Sequence, residues 1–222
     1  MTITKRDIRN IVIIGVLVGL LVQPVILNLG AKIGQDLPVP FLALQIAVFL
    51  AFAILAPVAL YIASIVARWV PIVYQIAKFG AVGSLNSFVD FGVLNTLLLL
   101  FLSGTQSGAL YNVFVGISFI AATTNSYIWN KAWTFNSGEK VERSVKEAVT
   151  FYAMTTLVFL VHVSVASYIV NTIGPRTGFS PAAWANIGKL FGIISGMTFN
   201  FLSYKFIVFR KKPPVAPVVI AS

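Results

Sequence analysis

Residues 11–29, "IVIIGVLVGLLVQPVILNL", and 41–67, "FLALQIAVFLAFAILAPVALYIASIVA", run without one charged side chain. About 20 apolar residues cross the hydrocarbon of a bilayer as a helix, so these two runs alone restrict the chain to membrane folds. Four further runs follow, and spans are expected near 11–29, 41–67, 75–101, 109–130, 148–171 and 184–208. In a chain of 222 residues, 58% hydrophobic and 10% charged, a soluble core could not hide so much apolar surface. The expected fold class is an all-α integral membrane protein with six transmembrane helices. Pro57 lies inside the second run, where its missing amide and its ring predict a kink.

The net charge of +10 fits the same frame. Lys5, Arg6, Arg9, Arg68, Lys78, Lys131, Lys140, Arg143, Lys146, Lys205, Arg210, Lys211 and Lys212 all fall on one side of a six-span arrangement; Lys32 and Arg176 fall in the opposite loops. By the positive-inside rule both termini are cytoplasmic. Lys5, Arg6 and Arg9 before an apolar run also resemble a signal peptide, but that run is long for one and lacks a small-residue cleavage site, which favours an uncleaved first span. No cysteine and one histidine argue against disulfides and against a cysteine- or histidine-built metal site, and no cofactor is called for. The three aspartates and three glutamates form no D-x-D pair and the chain has no P-loop, so enzymatic transfer and direct use of ATP are not expected. The polar segment "SGEKVERSVKEAV" sets Glu139 with Arg143 and Glu142 with Lys146 at i,i+4, the spacing of a solvated interfacial helix or of a docking surface. The proline-rich tail reads as disordered.

Sliding the sequence on itself by 74 residues sets Asn130 on Tyr204, Lys131 on Lys205, Tyr127 on Phe201 and Phe135 on Phe209. It also sets Ser118, Ala122 and Ser126 on Gly192, Gly196 and Asn200, two ridges of small residues four apart that let helices approach closely. A shift of 72 sets Phe79 on Phe151, Gly83 on Thr155 and Asp90 on His162. Spans 3 to 6 are therefore two helix pairs in parallel repeat, a plan known from small carriers. Residues 1–70 then form a two-helix N-terminal extension, 71–212 a four-helix membrane domain and 213–222 the tail.

Asp90 lies about 15 residues into the third span, roughly 22 Å deep. His162 and Lys189 come to a similar level, so an Asp90–Lys189 ion pair with His162 nearby is the economical arrangement for charge in hydrocarbon. A register-fixing structural pair and a snorkelling Lys189 are the alternatives. Gly83 and Asn86 share the Asp90 face and extend it as a polar groove. At the cytoplasmic interface stand Trp129, Asn130, Lys131, Trp133, Tyr204 and Lys205, with Asn200 as the polar end of the second ridge. Aromatics and lysine suit an interfacial belt as such; their matched spacing points further, to two lysines placed to cradle a lipid phosphate.

The segments "KFGAVGSLNSFVDFGVLNTLLL", "NSYIWNKAWTF" and "GKLFGIISGMTFNFLSYKFIVF" resemble the GtrA-like family over about residues 75–210. The resemblance implies a role in cell-surface polysaccharide or glycolipid synthesis in the bacterial inner membrane, by flipping a polyprenyl-phosphate-linked monosaccharide. Related helices anchor polyprenyl-phosphate glycosyltransferases, which leaves recruitment of such an enzyme as a second role; a small multidrug exporter is a third. The resemblance carries Asp90, Asn130, Lys131, Trp133, Asn200 and Lys205 over as family positions, with lysine where members often have arginine. That exchange keeps the charge but loses the bidentate fork. The two N-terminal helices lie outside the family's usual four. The partners implied are the lipid-linked sugar, membrane lipids and a glycosyltransferase, and the small-residue ridges leave a homodimer open.

Overall fold

The computed structural model describes residues 3–33, 40–101, 109–135, 145–173 and 181–209, and every regular element among them is helical. The helices are α1 (Lys5–Leu21), α2 (Gln23–Ile33), α3 (Phe41–Val66), α4 (Ile72–Phe101), α5 (Ala109–Trp129), α6 (Val145–Tyr168) and α7 (Pro181–Ser203). Five-residue π-helical turns extend α5, α6 and α7 over Asn130–Thr134, Ile169–Ile173 and Tyr204–Val208. Among the described residues, four helical stretches are long and apolar enough to cross a membrane: Lys5–Asn28, Phe41–Val66, Ile72–Phe101 and Val145–Val165. The fourth and sixth expected spans correspond to α5 and α7. Most of the interfacial segment before α6, and the tail after residue 209, lie outside the described residues.

The chain divides into two compact units, Met1–Val141 and Glu142–Ser222. In the first, α1 packs on α3 and α4, α2 packs on α4, and α4 packs along α5. Two glycines let α1 approach α3 closely: a Cβ at Gly15 would stand 2.7 Å from the Phe52 carbonyl oxygen, and one at Gly19 would stand 2.9 Å from that of Phe49. Gly15 and Gly19 are four apart, the G-x-x-x-G spacing that brings backbones together where apolar burial cannot drive association. Gly92 of α4 repeats the device against the Leu21 carbonyl. The core joins Ile11, Ile14 and Val18 of α1 with Leu60 and Ala67, with Tyr74, Val82 and Leu85 of α4, and with Trp133. The N-terminal helices are thus packed into the first unit.

A second proline coincides with a break in a span. α3 is continuous through Pro57, whereas the first span is interrupted at Val22, just before Pro24. Proline lacks the amide that would bond four residues back, and the neighbouring Gln23 side chain donates to the Gly19 carbonyl at 2.7 Å.

In the second unit α6 packs along α7, and a Cβ added at Gly196 would meet the His162 Cβ at 3.4 Å. The exteriors carry large apolar side chains such as Leu55, Leu100 and Phe159, while Ser118, Thr123, Ser126 and Ser203 are buried. This distribution suits a lipid solvent, which accepts apolar surface and cannot satisfy polar groups.

Candidate functional site

The helices α5 and α7 end in the same way at a spacing of 74 residues. Asn130–Thr134 and Tyr204–Val208 are matched π turns, closed by the Phe135 amide donating to the Asn130 carbonyl at 3.0 Å and the Phe209 amide donating to that of Tyr204 at 2.8 Å. The lysine one residue into each turn leans back over the aromatic ring four residues earlier. Lys131 Nζ lies 5.5 Å from the Tyr127 ring centroid and Lys205 Nζ 5.7 Å from that of Phe201, both within cation–π range. The phenylalanine closing each turn meets a buried phenylalanine near the start of the preceding helix. Phe79–Phe135 and Phe151–Phe209 both have ring centroids 6.1 Å apart. The repeat expected from two register shifts therefore recurs inside each helix pair in backbone, cation and ring contacts.

The two turns differ in their surroundings. At the first, Lys131 is 8% exposed and its ammonium donates to the Tyr127 hydroxyl at 3.2 Å. Asn130 is buried, with its side-chain amide donating to the Ser126 carbonyl at 3.0 Å. Trp133, expected as a headgroup contact, is 3% exposed, and its indole N–H donates to Asp7 Oδ1 at 2.8 Å. The same Asp7 carboxylate forms an ion pair with Lys78, whose ammonium lies 4.6 Å from the Tyr74 ring centroid and 5.4 Å from that of Trp133. Thr4 and Asp7 complete a capping box at the start of α1. Arg6 donates to the Ala132 carbonyl and Gln75 to that of Thr134 at 3.3 Å, so two carbonyls of the π turn have side-chain donors.

At the second turn, Tyr204 is buried, its ring 4.5 Å from that of Phe151 and its hydroxyl 3.0 Å from Thr155 Oγ1. Lys205 is partly exposed, over Phe201 and, at 5.3 Å, over Phe206. One turn earlier, Asn200 buries a side-chain oxygen that has no hydrogen-bond partner among the described residues. A buried amide oxygen of that kind has an unspent capacity to accept.

Deeper in the first pair, polar side chains bridge α4 and α5. Asn125 donates to Asn86 Oδ1 at 2.6 Å and Ser118 Oγ to Asp90 Oδ1 at 2.5 Å; Asn28 of α2 continues the series by donating to Asn95 Oδ1 at 2.8 Å. Asn86 and Asp90 thus lie on one interhelical seam. His162 of the second pair is half-buried against Gly196. The Lys189 side chain is outside the described residues, and with it the expected Asp90–Lys189 ion pair. Among the described residues no group of three His, Asp or Glu side chains is placed to hold a metal ion.

Sequence reading missed Asp7. An acidic residue beside Lys5, Arg6 and Arg9 passes for a surface or capping group, and its partners Lys78 and Trp133 are too remote in the chain to signal the contact. Gly15 and Gly19 carried a legible signal in their spacing.

The model of the family described as "GtrA/DPMS, transmembrane domain" matches residues 78–209. A membrane protein of Bacillus subtilis (strain 168), the uncharacterized YngA, is 29% identical over 134 residues, covering 60% of this chain and 78% of that protein. No solved structure gives a significant match. The matched region begins at Lys78, so α1, α2 and α3 precede it.

Proposed function

Because the chain belongs to the GtrA/DPMS transmembrane-domain family, we propose that it carries a polyprenyl-phosphate-linked monosaccharide across the bacterial cytoplasmic membrane, for glycosylation of a cell-surface polysaccharide or glycolipid. In this reading six helices cross, both termini are cytoplasmic, and the protein is a carrier that makes and breaks no covalent bond. The observation that carries it is the recurrence of a lysine-bearing π turn at the end of each helix pair. An ammonium fixed against an aromatic ring at headgroup level suits a lipid phosphate, which needs charge and donors but no catalyst. Asn86 and Asp90 in the first unit, and separately His162 in the second, supply polar groups within largely apolar spans. The prenyl tail stays in lipid. Movement is downhill, or coupled to protons through Asp90 or His162.

The test is reconstitution in liposomes containing a polyprenyl-phosphate sugar, with the headgroup's accessibility to an impermeant reagent followed in time. Faster exposure than in protein-free vesicles is expected, with loss of the acceleration in Asp90→Asn, a variant that keeps an oxygen for Ser118. Equal rates in all three preparations would refute transport. A second reading has support in the family description itself, which names a transmembrane domain: the helices then hold a polyprenyl-phosphate glycosyltransferase at the membrane. Co-purification of such an enzyme, lost on charge reversal of residues 139–147 and indifferent to Asp90→Asn, is the outcome that reading requires.

A further inference from the structure

Duplication supplied two lysine turns, and their surroundings have diverged. The first is enclosed by the N-terminal extension. Arg6 bonds the Ala132 carbonyl, the Asp7 carboxylate holds Trp133 and Lys78, and Lys131 is nine-tenths buried with its ammonium on the Tyr127 hydroxyl. An incoming phosphate there would meet an ammonium that is nine-tenths buried and already bonded to that hydroxyl.

Among the described residues none of these elements has a counterpart at the second turn. The repeat places Thr150 where the first pair has Lys78, Glu147 where it has Gln75, and Ile207 where it has Trp133. Ile207 is 55% exposed and Phe206 59%. Lys205 is partly exposed, and among the described residues its ammonium meets two aromatic rings and makes no hydrogen bond or ion pair. Cation–π contact leaves the N–H donors of an ammonium available. One turn below, Asn200 buries a side-chain oxygen without a partner among the described residues, as Asn130 does inside the first turn, and can accept from a hydroxyl. Lys146, exposed in the first turn of α6, adds charge to the end of the pair where Phe151 meets Tyr204; Glu147 shares that end. The sequence continues past the turn as Arg210, Lys211 and Lys212.

We propose that the chain has one phosphate site, not two: the Lys205 turn takes the lipid-borne phosphate, and the Lys131 turn is a positioning element fixed by the N-terminal extension. This rests on the carrier reading and narrows it. Phe206 and Ile207 beside Lys205 are exposed like the rest of the lipid-facing exterior, so the ammonium opens to the bilayer and the ligand it suits is a phosphate carried on an apolar tail.

The experiment measures binding of farnesyl phosphate to the full-length protein in phosphatidylcholine nanodiscs, with inorganic phosphate as competitor. Loss of a charge-assisted contact should weaken binding about tenfold or more in Lys205→Gln, with Lys205→Arg restoring it. Lys131→Gln is expected to stay within about twofold of the wild-type affinity. Far-UV circular dichroism and elution volume establish that each variant is folded, and Lys131→Met, which removes the charge but keeps the unbranched stem, replaces Lys131→Gln if the latter is not. Equal losses in the two glutamine variants, loss only at Lys131, or no loss at either would overturn the assignment. Competition by millimolar inorganic phosphate would overturn the commitment to a lipid ligand. Failure of the wild-type protein to bind farnesyl phosphate would remove phosphate recognition, and with it the carrier reading, a result distinct from binding that is merely misassigned between the turns.

Discussion

Replacing Asp7 by alanine leaves the Lys78 ammonium, with a side chain 14% exposed, without its carboxylate, and deprives the Trp133 indole and the Thr4 hydroxyl of their acceptor. Removing one member of a buried ion pair costs about 3–5 kcal/mol, because the remaining charge stays desolvated. An orphaned indole donor adds about 1–3 kcal/mol and a lost helix cap about 1 kcal/mol. These donors and the Thr4 amide share one carboxylate, so the contributions overlap, and a total of about 4–5 kcal/mol is expected instead of their sum. Adding Lys78→Met removes the stranded charge while keeping an unbranched stem over Tyr74 and Trp133. The double variant D7A/K78M should therefore be more stable than D7A by about 2 kcal/mol or more, since apolar replacement of a whole buried pair is often near neutral. Unfolding in mixed micelles by titration with a denaturing detergent, followed by far-UV circular dichroism, gives the three stabilities needed. A D7A protein within about 1 kcal/mol of wild type, or a double variant no more stable than D7A, would refute the claim that this carboxylate compensates a buried charge.

Gly15→Val places side-chain atoms where even a Cβ stands 2.7 Å from the Phe52 carbonyl oxygen, so α1 and α3 must separate; a loss of about 1–3 kcal/mol and weaker cysteine cross-linking between the two helices are expected. Tyr204→Phe deletes the hydroxyl contact with Thr155 and should cost about 0.5–1.5 kcal/mol, with Thr155→Val costing little more when combined with it; additive losses would show that the two hydroxyls do not share a bond.

The helical class was legible because a bilayer permits so few backbone arrangements, and runs of the length seen at 41–67 leave little else. The duplication was legible too: Lys131 and Lys205, with Tyr127 and Phe201 one turn earlier, keep their spacing through surrounding residues that differ. Their π-helical backbone was not, since no residue type in "NKAWT" or "YKFIV" demands an extra residue in the turn. It follows from tertiary contacts, with Phe79 and Phe151 waiting at a fixed place for the closing ring. Trp133 shows the limit of reading composition at an interface. An aromatic at headgroup level looks like an anchor or a ligand contact, and only the fold reveals that its indole is taken by Asp7, 126 positions away.

A π turn is an α-helical turn holding one residue too many, and the surplus acts as a phase adjustment. Continued as an ordinary helix, α5 would bring Phe135 round about 100° out of step with its present direction. The ring would swing away from Phe79, and the lysine four positions before it would no longer be fixed relative to that contact. The inserted residue lets one helix keep two different appointments, its small-residue seam facing the neighbouring helix and its terminal aromatic reaching Phe79. The same correction operates before Phe209. Deleting a single residue within either turn would therefore remove the surplus and let an ordinary α turn carry the closing phenylalanine to the same ring, whereas inserting one would misdirect the end of the helix.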